Sequence, residues 1–251
     1  MAEEPILRQH LVVFLDVLGF SDAIEAAYQG GDPQQQFAHF RSIALSGLER
    51  LRSIGKQWDV RLFTDNILLA APTYGDRAPE EFASMYEAVS RYQLDLAREG
   101  YFVRGGAEIG DYWSEPDLIY GKAILDAVRL EKAANAPRVV LGKQAARAAG
   151  RNRDVSALRI GTDMESIPDD EPRFRPVRRE GDTFFIDYLI AAYDHHGGPQ
   201  LPVFERHRDL ITARLEEFAS HPKIKRKYAW LQMYHNRHCV ESQLPPRFLI
   251  A

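Results

Sequence analysis

Several features that would assign a chain to a specialised class are missing or scarce here. Cys239 is the only cysteine, which excludes an intrachain disulfide framework. No apolar run approaches the roughly 20 residues that a membrane-spanning helix needs. The opening MAEEPILRQH lacks the basic and apolar regions of a secretion signal, so the expectation is a soluble cytoplasmic protein. Positive charge is not in excess either. The 32 Lys and Arg against 36 Asp and Glu give a net charge of −4, and no broad electrostatic footprint for duplex nucleic acid results. What is present is core material: 45% hydrophobic residues over 251 positions suit one large domain, or a domain with an appendage.

The stretch HLVVFLDVLGFS, residues 10–21, begins as a short β-branched apolar run, the mark of a buried strand, and ends in Asp16 before a glycine turn. A carboxylate there is costly to bury unpaired, so it calls for a cation, a hydrogen-bonding shell or water. Ser21 and Asp22 are candidate caps of a following helix whose free N–H groups suit phosphate. The periodicity then predicts a short helix over 23–29 and a longer one from Asp32 and Pro33 to Gly55, with Phe37, Phe40, Ala44, Leu48 and Leu51 on its buried face. QWDVRLFTDNILLAAP reads as a hairpin with Asp65 at its tip. A helix marked by Phe82, Met85, Val89, Gln93 and Leu96, the strand YFVRGGAEIGDYW, a helix from Gly121 to about 135 and a strand over 138–141 follow.

That order is the order of an α+β, ferredoxin-like sheet with helices on one face, and it makes the first strand and the hairpin neighbours. Asp16 and Asp65 would then flank one site. Two carboxylates without accompanying His or Cys suit magnesium or manganese rather than zinc. Residues 151–179, rich in charge and proline, read as a linker, followed by a short strand and two helices. The basic PKIKRKY segment, with Lys223, Lys225, Arg226 and Lys227, reads as a solvated helix face. His195, His196, His235 and His238 read as surface histidines.

With four motifs in this order, the chain resembles the class III nucleotidyl cyclases over residues 8–145, and among them the bacterial pyrimidine cyclases of Pycsar antiphage systems. FLDVLGFS matches the strand-one metal motif, which implies Asp16 and the carbonyl of Val17 as metal ligands. RLFTDN matches the second metal acid at Asp65 and sets Arg61 where adenylate cyclases carry a base-reading lysine. VRGGAEIG carries the R-x-G-x-x-x-G strand through Arg104, Gly106 and Gly110. IYGKAILDAVRLE aligns Gly121 with the family glycine and Arg129 with the arginine that stabilises the transition state. Leu125 and Leu118 depart from the pattern, standing where purine cyclases have an asparagine and adenylate cyclases a base-reading aspartate. The tail ending KYAWLQMYHN also resembles that of the Pycsar cyclases.

The resemblance implies a cyclase catalytic domain over residues 1–150 and a linker, short strand and helical extension over 151–251. It implies two Mg2+ or Mn2+ ions per site, a nucleoside triphosphate gripped by the backbone at Gly19, Phe20 and Ser21, and a head-to-tail homodimer in which Arg129 reaches across. A separate effector protein would respond to the cyclic product. For the base, Arg61 is donor-only and Leu118 cannot accept from an exocyclic amino group, which favours UTP with CTP as runner-up. A shift of one residue in the alignment would bring Asp117 to that position and favour CTP. A purine cyclase, a non-catalytic nucleotide-binding homologue and a diguanylate-cyclase-like enzyme are the alternatives, although the last would want GGDEF where the chain has FTDN. For Arg104 a structural ion pair competes with any binding role, and for Arg129 a surface salt bridge does.

Overall fold

The computed structural model describes residues 5–73, 78–151, 176–194 and 197–251. Most of the expected linker, together with His195 and His196, lies outside the described residues. In chain order the elements are β1 (Arg8–Val17), α1 (Phe20–Gly30), α2 (Pro33–Ile54), β2 (Asp59–Phe63), β3 (Asn66–Pro72), α3 (Ala78–Arg98), β4 (Val103–Glu115), β5 (Leu118–Tyr120) and α4 (Lys122–Ala133). They are followed by β6 (Val139–Leu141), α5 (Lys143–Arg151), β7 (Val177–Glu180), β8 (Thr183–Ile186), α6 (Leu201–Glu217) and α7 (Pro222–Glu241).

β1 lies inside the sheet, antiparallel to both β3 and β4. The order β2-β3-β1-β4 is that of a ferredoxin-like unit. β6 adds parallel to β4, and the β7–β8 hairpin continues antiparallel, so the sheet runs on through elements from both sides of residue 150. Among the described residues no helix is long and apolar enough to cross a membrane.

Both faces of β1 are apolar, and both are covered. Leu11, Val13, Leu15 and Val17 pack with α2 and α3, whereas Val12 and Phe14 pack with Ala123 and Ala127 of α4. The expectation of helices on one face is therefore corrected: a continuous VVFL run buries on two sides, and α4 supplies the second. Gly106 lets α4 sit so close. A Cβ there would stand 2.2 Å from the Ala127 carbonyl oxygen and 2.6 Å from the Leu130 Cβ.

Local signals account for the helix starts only in part. Asp32 caps α2, its Oδ1 accepting from the N–H groups of Gln34 at 2.9 Å and Gln35 at 3.0 Å. α1 instead starts from Gly19 in a left-handed conformation (φ 73°), and neither Ser21 nor Asp22 caps it. Phe37 is 58% exposed and leaves the buried face of α2, which begins at Phe40.

α6 and α7 close a second apolar cluster over Phe102, Phe185 and a 3-10 turn at Tyr188–Ala192. His235 and His238, expected at the surface, are buried in it, as is His207. Their polar atoms are paired internally. The Tyr188 hydroxyl donates to His207 Nε2 at 2.7 Å, and His235 Nε2 donates to the Phe248 carbonyl at 2.8 Å. These two bonds leave His207 Nδ1 as donor to His235 Nδ1, at 2.9 Å, with both rings neutral.

Burial, reinforced by the neighbouring His235 and His238 rings, holds His207 well below the usual imidazole value. Burial also holds His235 at about 4, against an opposing bond to Phe248. In the unfolded chain both rings take up protons near pH 6.5, whereas in the folded chain they do not until about pH 4 or below. Stability from this pair is thus complete above pH 6.5 and is lost as the pH falls toward 4, by at most about 1.4 kcal/mol per pH unit for each ring. Urea midpoints at pH 7, 6 and 5 should fall in that order; an unchanged midpoint would show the pair to be solvated.

Candidate active site

Asp16 is the penultimate residue of β1, on the α4 side, in register with Asn66 of β3 and Arg104 of β4. Asp65 is the turn residue directly before Asn66, so the hairpin tip sets it beside the end of β1. Thr64, at φ 55°, is a β-branched residue held in the left-handed region, a strain of about 1–3 kcal/mol of the kind that clusters at functional turns. Its Oγ1 donates to the Phe63 carbonyl at 2.6 Å and lies 3.0 Å from Asp65 Oδ1. Burial pushes the Asp65 carboxyl above its usual range and the Asp16 charge adds to this, while the Thr64 bond and Arg104 oppose it.

A third acid completes the group. Arg104 Nε donates to Asp16 Oδ2 at 2.7 Å and lies 2.8 Å from Glu131 Oε1. The Glu131 side chain is only 3% exposed, and this oxygen accepts no well-directed hydrogen bond. Its burial raises the carboxyl above its usual range, Arg104 opposing and Asp16 adding. Glu131 was visible in the sequence as an acid four residues beyond Ala127, on the small-residue face of α4, a position at which a charge needs a buried partner. Arg104 is thus an ion-pair arginine, and its partner is the first metal-motif acid.

The donor set fits a hard cation. Asp16 and Asp65 supply carboxylate oxygens, and Val17, whose side chain lies in the core, has only its carbonyl to offer. Among the described residues no group of three or more His, Cys, Asp or Glu side chains converges as a metal site. The remaining ligand positions would fall to water and to phosphate oxygens, as is usual for magnesium.

The other expected residues lie on α1, β2 and β5, and Arg61 and Leu118 sit toward the end of β4 opposite Arg104. Gly19, Phe20 and Ser21 form the start of α1, and the Phe20 ring packs on Phe40 at 4.5 Å, which leaves only its backbone for a ligand. Arg61 is held in its own chain: Nε donates to Asp59 at 3.0 Å, Nη1 to the Pro116 carbonyl at 3.0 Å and Nη2 to the Glu115 carbonyl at 2.6 Å. Burial alone would raise the Asp59 carboxyl, but bonds from Arg61, Tyr112 and Ser114 outweigh it and leave it below its usual range. Leu118 pairs with Glu115 across the same β4–β5 hairpin and is 48% exposed, so Arg61 and Leu118 flank one turn.

Arg129 is not brought to this group. It is 72% exposed and pairs with Asp126 at 3.0 Å, about 200° around α4 from Glu131. It lines a separate cleft of about 760 Å³ with Glu108, Lys143, Arg147 and Phe184.

Neither a protein-family model nor a curated protein matches the chain. Solved structures similar to it include nucleotide cyclases and a cyclase-like protein. The adenylyl cyclase CyaB from P. aeruginosa is 14% identical, with a TM-score of 0.47 over 59% of this chain and 83% of that one. The guanylyl cyclase Cya2 is 10% identical, with a TM-score of 0.43 over 72% of this chain and 92% of that one. A class III adenylyl cyclase-like ATP-binding protein from Pseudomonas aeruginosa is 11% identical, with a TM-score of 0.44 over 57% of this chain and 35% of that one.

Proposed function

We propose that the protein is a class III type nucleotide cyclase that converts a nucleoside triphosphate, UTP by preference, into its 3′,5′-cyclic monophosphate and pyrophosphate. The observation that carries this is the register that sets Asp16 against Asn66 and so beside Asp65, at a strand end next to the start of a helix. Asp16 and Asp65, with the Val17 carbonyl, would hold two Mg2+ or Mn2+ ions. When bound, such ions lower the pKa of the attacking ribose hydroxyl and neutralise the phosphates. The N–H groups at Gly19, Phe20 and Ser21, at the start of α1, would donate to the polyphosphate. Incubation with all four ribonucleoside triphosphates and Mn2+, with mass spectrometry of the product, tests the reading. A cyclic pyrimidine nucleotide is expected, and nucleotide binding without pyrophosphate release would instead identify a non-catalytic homologue.

Within one chain Arg129 faces away from the acids, so the site we propose is complete only in a head-to-tail homodimer, where Arg129 of the partner subunit donates to the developing phosphoryl charge. Exposed Phe63, Leu118, Tyr120 and Leu125, on β2, β5 and α4, supply apolar surface for such an interface. Mixing inactive Asp16→Asn with inactive Arg129→Ala should restore activity, because one of the two sites then regains both groups. No recovery on mixing would place both residues in the same subunit's site.

Uridine selectivity rests on Arg61 and Leu118. With Nε committed to Asp59 and one N–H of each terminal nitrogen committed to a carbonyl, one N–H on each remains for base oxygens. Leu118 offers no acceptor to an amino group, and a buried unsatisfied donor costs about 1–3 kcal/mol. UTP should therefore turn over about tenfold or more faster than ATP or CTP, and Arg61→Ala should lose selectivity more than Mn2+ affinity. The CTP reading has one observation of its own: Asp117 lies close enough to raise the Arg61 pKa and can accept from cytosine. Faster turnover of CTP would assign the base to Asp117. By its resemblance to the Pycsar cyclases, we extend the reading to an antiphage second messenger acting on a separate effector.

A further inference from the structure

The first turns of α7 sit at the end of β1. Tyr228 stacks on Phe218 at 5.7 Å and stands edge-on to Phe102 at 5.9 Å. The Phe102 carbonyl accepts the Leu18 N–H at 2.8 Å, just beyond Asp16, and Leu18 packs against the same apolar cluster. Lys227 precedes Tyr228 and is half-buried. Among the described residues its ammonium makes neither a hydrogen bond nor an ion pair. The charges it faces are those of Asp16, Asp22 and Glu131, with Arg104 the opposing cation; partial burial and Arg104 hold it below the usual lysine value.

Two cations thus meet the acids of the site, Arg104 in direct contact and Lys227 without a partner. When divalent ions neutralise Asp16, Arg104 keeps Glu131, whereas Lys227 loses one of the charges it faces and its N–H donors are open to the anion that accompanies the ions. A lysine ammonium, compact and with three donors that rotate freely, suits a terminal phosphate. We propose that Lys227 binds the polyphosphate of the triphosphate held at Asp16 and Asp65 of its own subunit, so that the C-terminal helices form part of the active site. This rests on the cyclase reading.

The test uses the full chain, with Mn2+ alone and with Mn2+ plus inorganic tripolyphosphate, a probe that carries no base. Lys227→Gln should bind tripolyphosphate about tenfold to hundredfold more weakly, the worth of one charge-assisted hydrogen bond, by calorimetry. It should bind Mn2+ alone as tightly as the wild type or more tightly, by electron paramagnetic resonance, because a positive charge has left the neighbourhood of Asp16. Lys227→Arg should recover most of the loss. If Lys227→Gln binds tripolyphosphate as the wild type does, or if Mn2+ affinity falls in parallel, the assignment is overturned. A wild type that binds neither probe overturns the cyclase reading itself.

Discussion

Asp16→Asn and Asp65→Asn are each expected to lower metal-dependent pyrophosphate release from nucleoside triphosphates by about a thousandfold, in line with the several kcal/mol that a positioned cation contributes to a phosphoryl transition state. The two variants should differ in stability. Asp16→Asn leaves Arg104 beside a neutral amide, but Glu131 Oε1 already lies 2.8 Å from the same Nε, so the guanidinium keeps a carboxylate and the fold should survive with a modest loss. Asp65→Asn removes a charge that burial and Asp16 both disfavour, and its thermal midpoint should hold or rise. Mn2+ affinity should fall in both. Turnover within tenfold of the wild type in either variant would remove the metal-pair assignment.

The largest effect on stability is expected far from those acids, at Asp187. This carboxylate is fully buried between β8 and α7, where it accepts from Arg178 Nε at 2.7 Å, His238 Nε2 at 2.9 Å and the Tyr234 hydroxyl at 2.5 Å. Burial by itself would raise its pKa, but His238, Arg178 and Tyr234 outweigh burial and hold it well below the usual carboxylate range. Arg178 is also forked onto Glu241 through two bonds of 2.9 Å, so it ties the last strand hairpin to the end of α7. Asp187→Ala leaves the Arg178 Nε, the His238 Nε2 and the Tyr234 hydroxyl without their acceptor in one apolar cluster. Breaking a buried pair in this way costs about 3–5 kcal/mol, which for a chain of this size lowers the melting temperature by about 10 °C. Asp187→Asn, which keeps an acceptor, should lose less. A drop under about 1 kcal/mol for the alanine variant would mean that water reaches the cluster. Because α7 carries Lys227, the alanine variant should also weaken tripolyphosphate binding.

Much of the sheet was legible because the signals are local. A β-branched run, a two-residue tip and glycine stops are written in neighbouring residues, and they place β1, the β2–β3 hairpin and β4. The expected start of α2 at Asp32 and Pro33 is found, with Asp32 capping it through N–H groups two and three residues along. β7 was not legible. Its sequence, VRRE, alternates no apolar face, and it is a strand because β8 offers it an edge. α5 was missed for a related reason: its nine residues run KQAARAAGR, and what holds its start is Glu108 of β4, whose Oε1 accepts the N–H groups of Gln144 at 3.1 Å and Ala145 at 3.0 Å.

By itself the sequence determined which residues can do chemistry, since the identity of a carboxylate at a strand end or a hairpin tip does not depend on what lies elsewhere. It also determined the order of the elements, and with that order the neighbourhood of β1 and β3. Only the tertiary structure decided what each charge meets. Arg104 faces Asp16 through strand register, Glu131 joins them because α4 rests on Gly106, and Arg129, two residues along the same helix, is turned away. His235 and His238 are hydrophilic in composition yet sit in the core, because each ring nitrogen finds a partner there on another segment. Lys227, on a segment that reads as a solvated face, is half-buried within the field of the acids because Tyr228 beside it packs on Phe102 at the end of β1. Partners distant in sequence are set by packing, and packing depends on the shapes of whole faces rather than on the pattern of any one stretch.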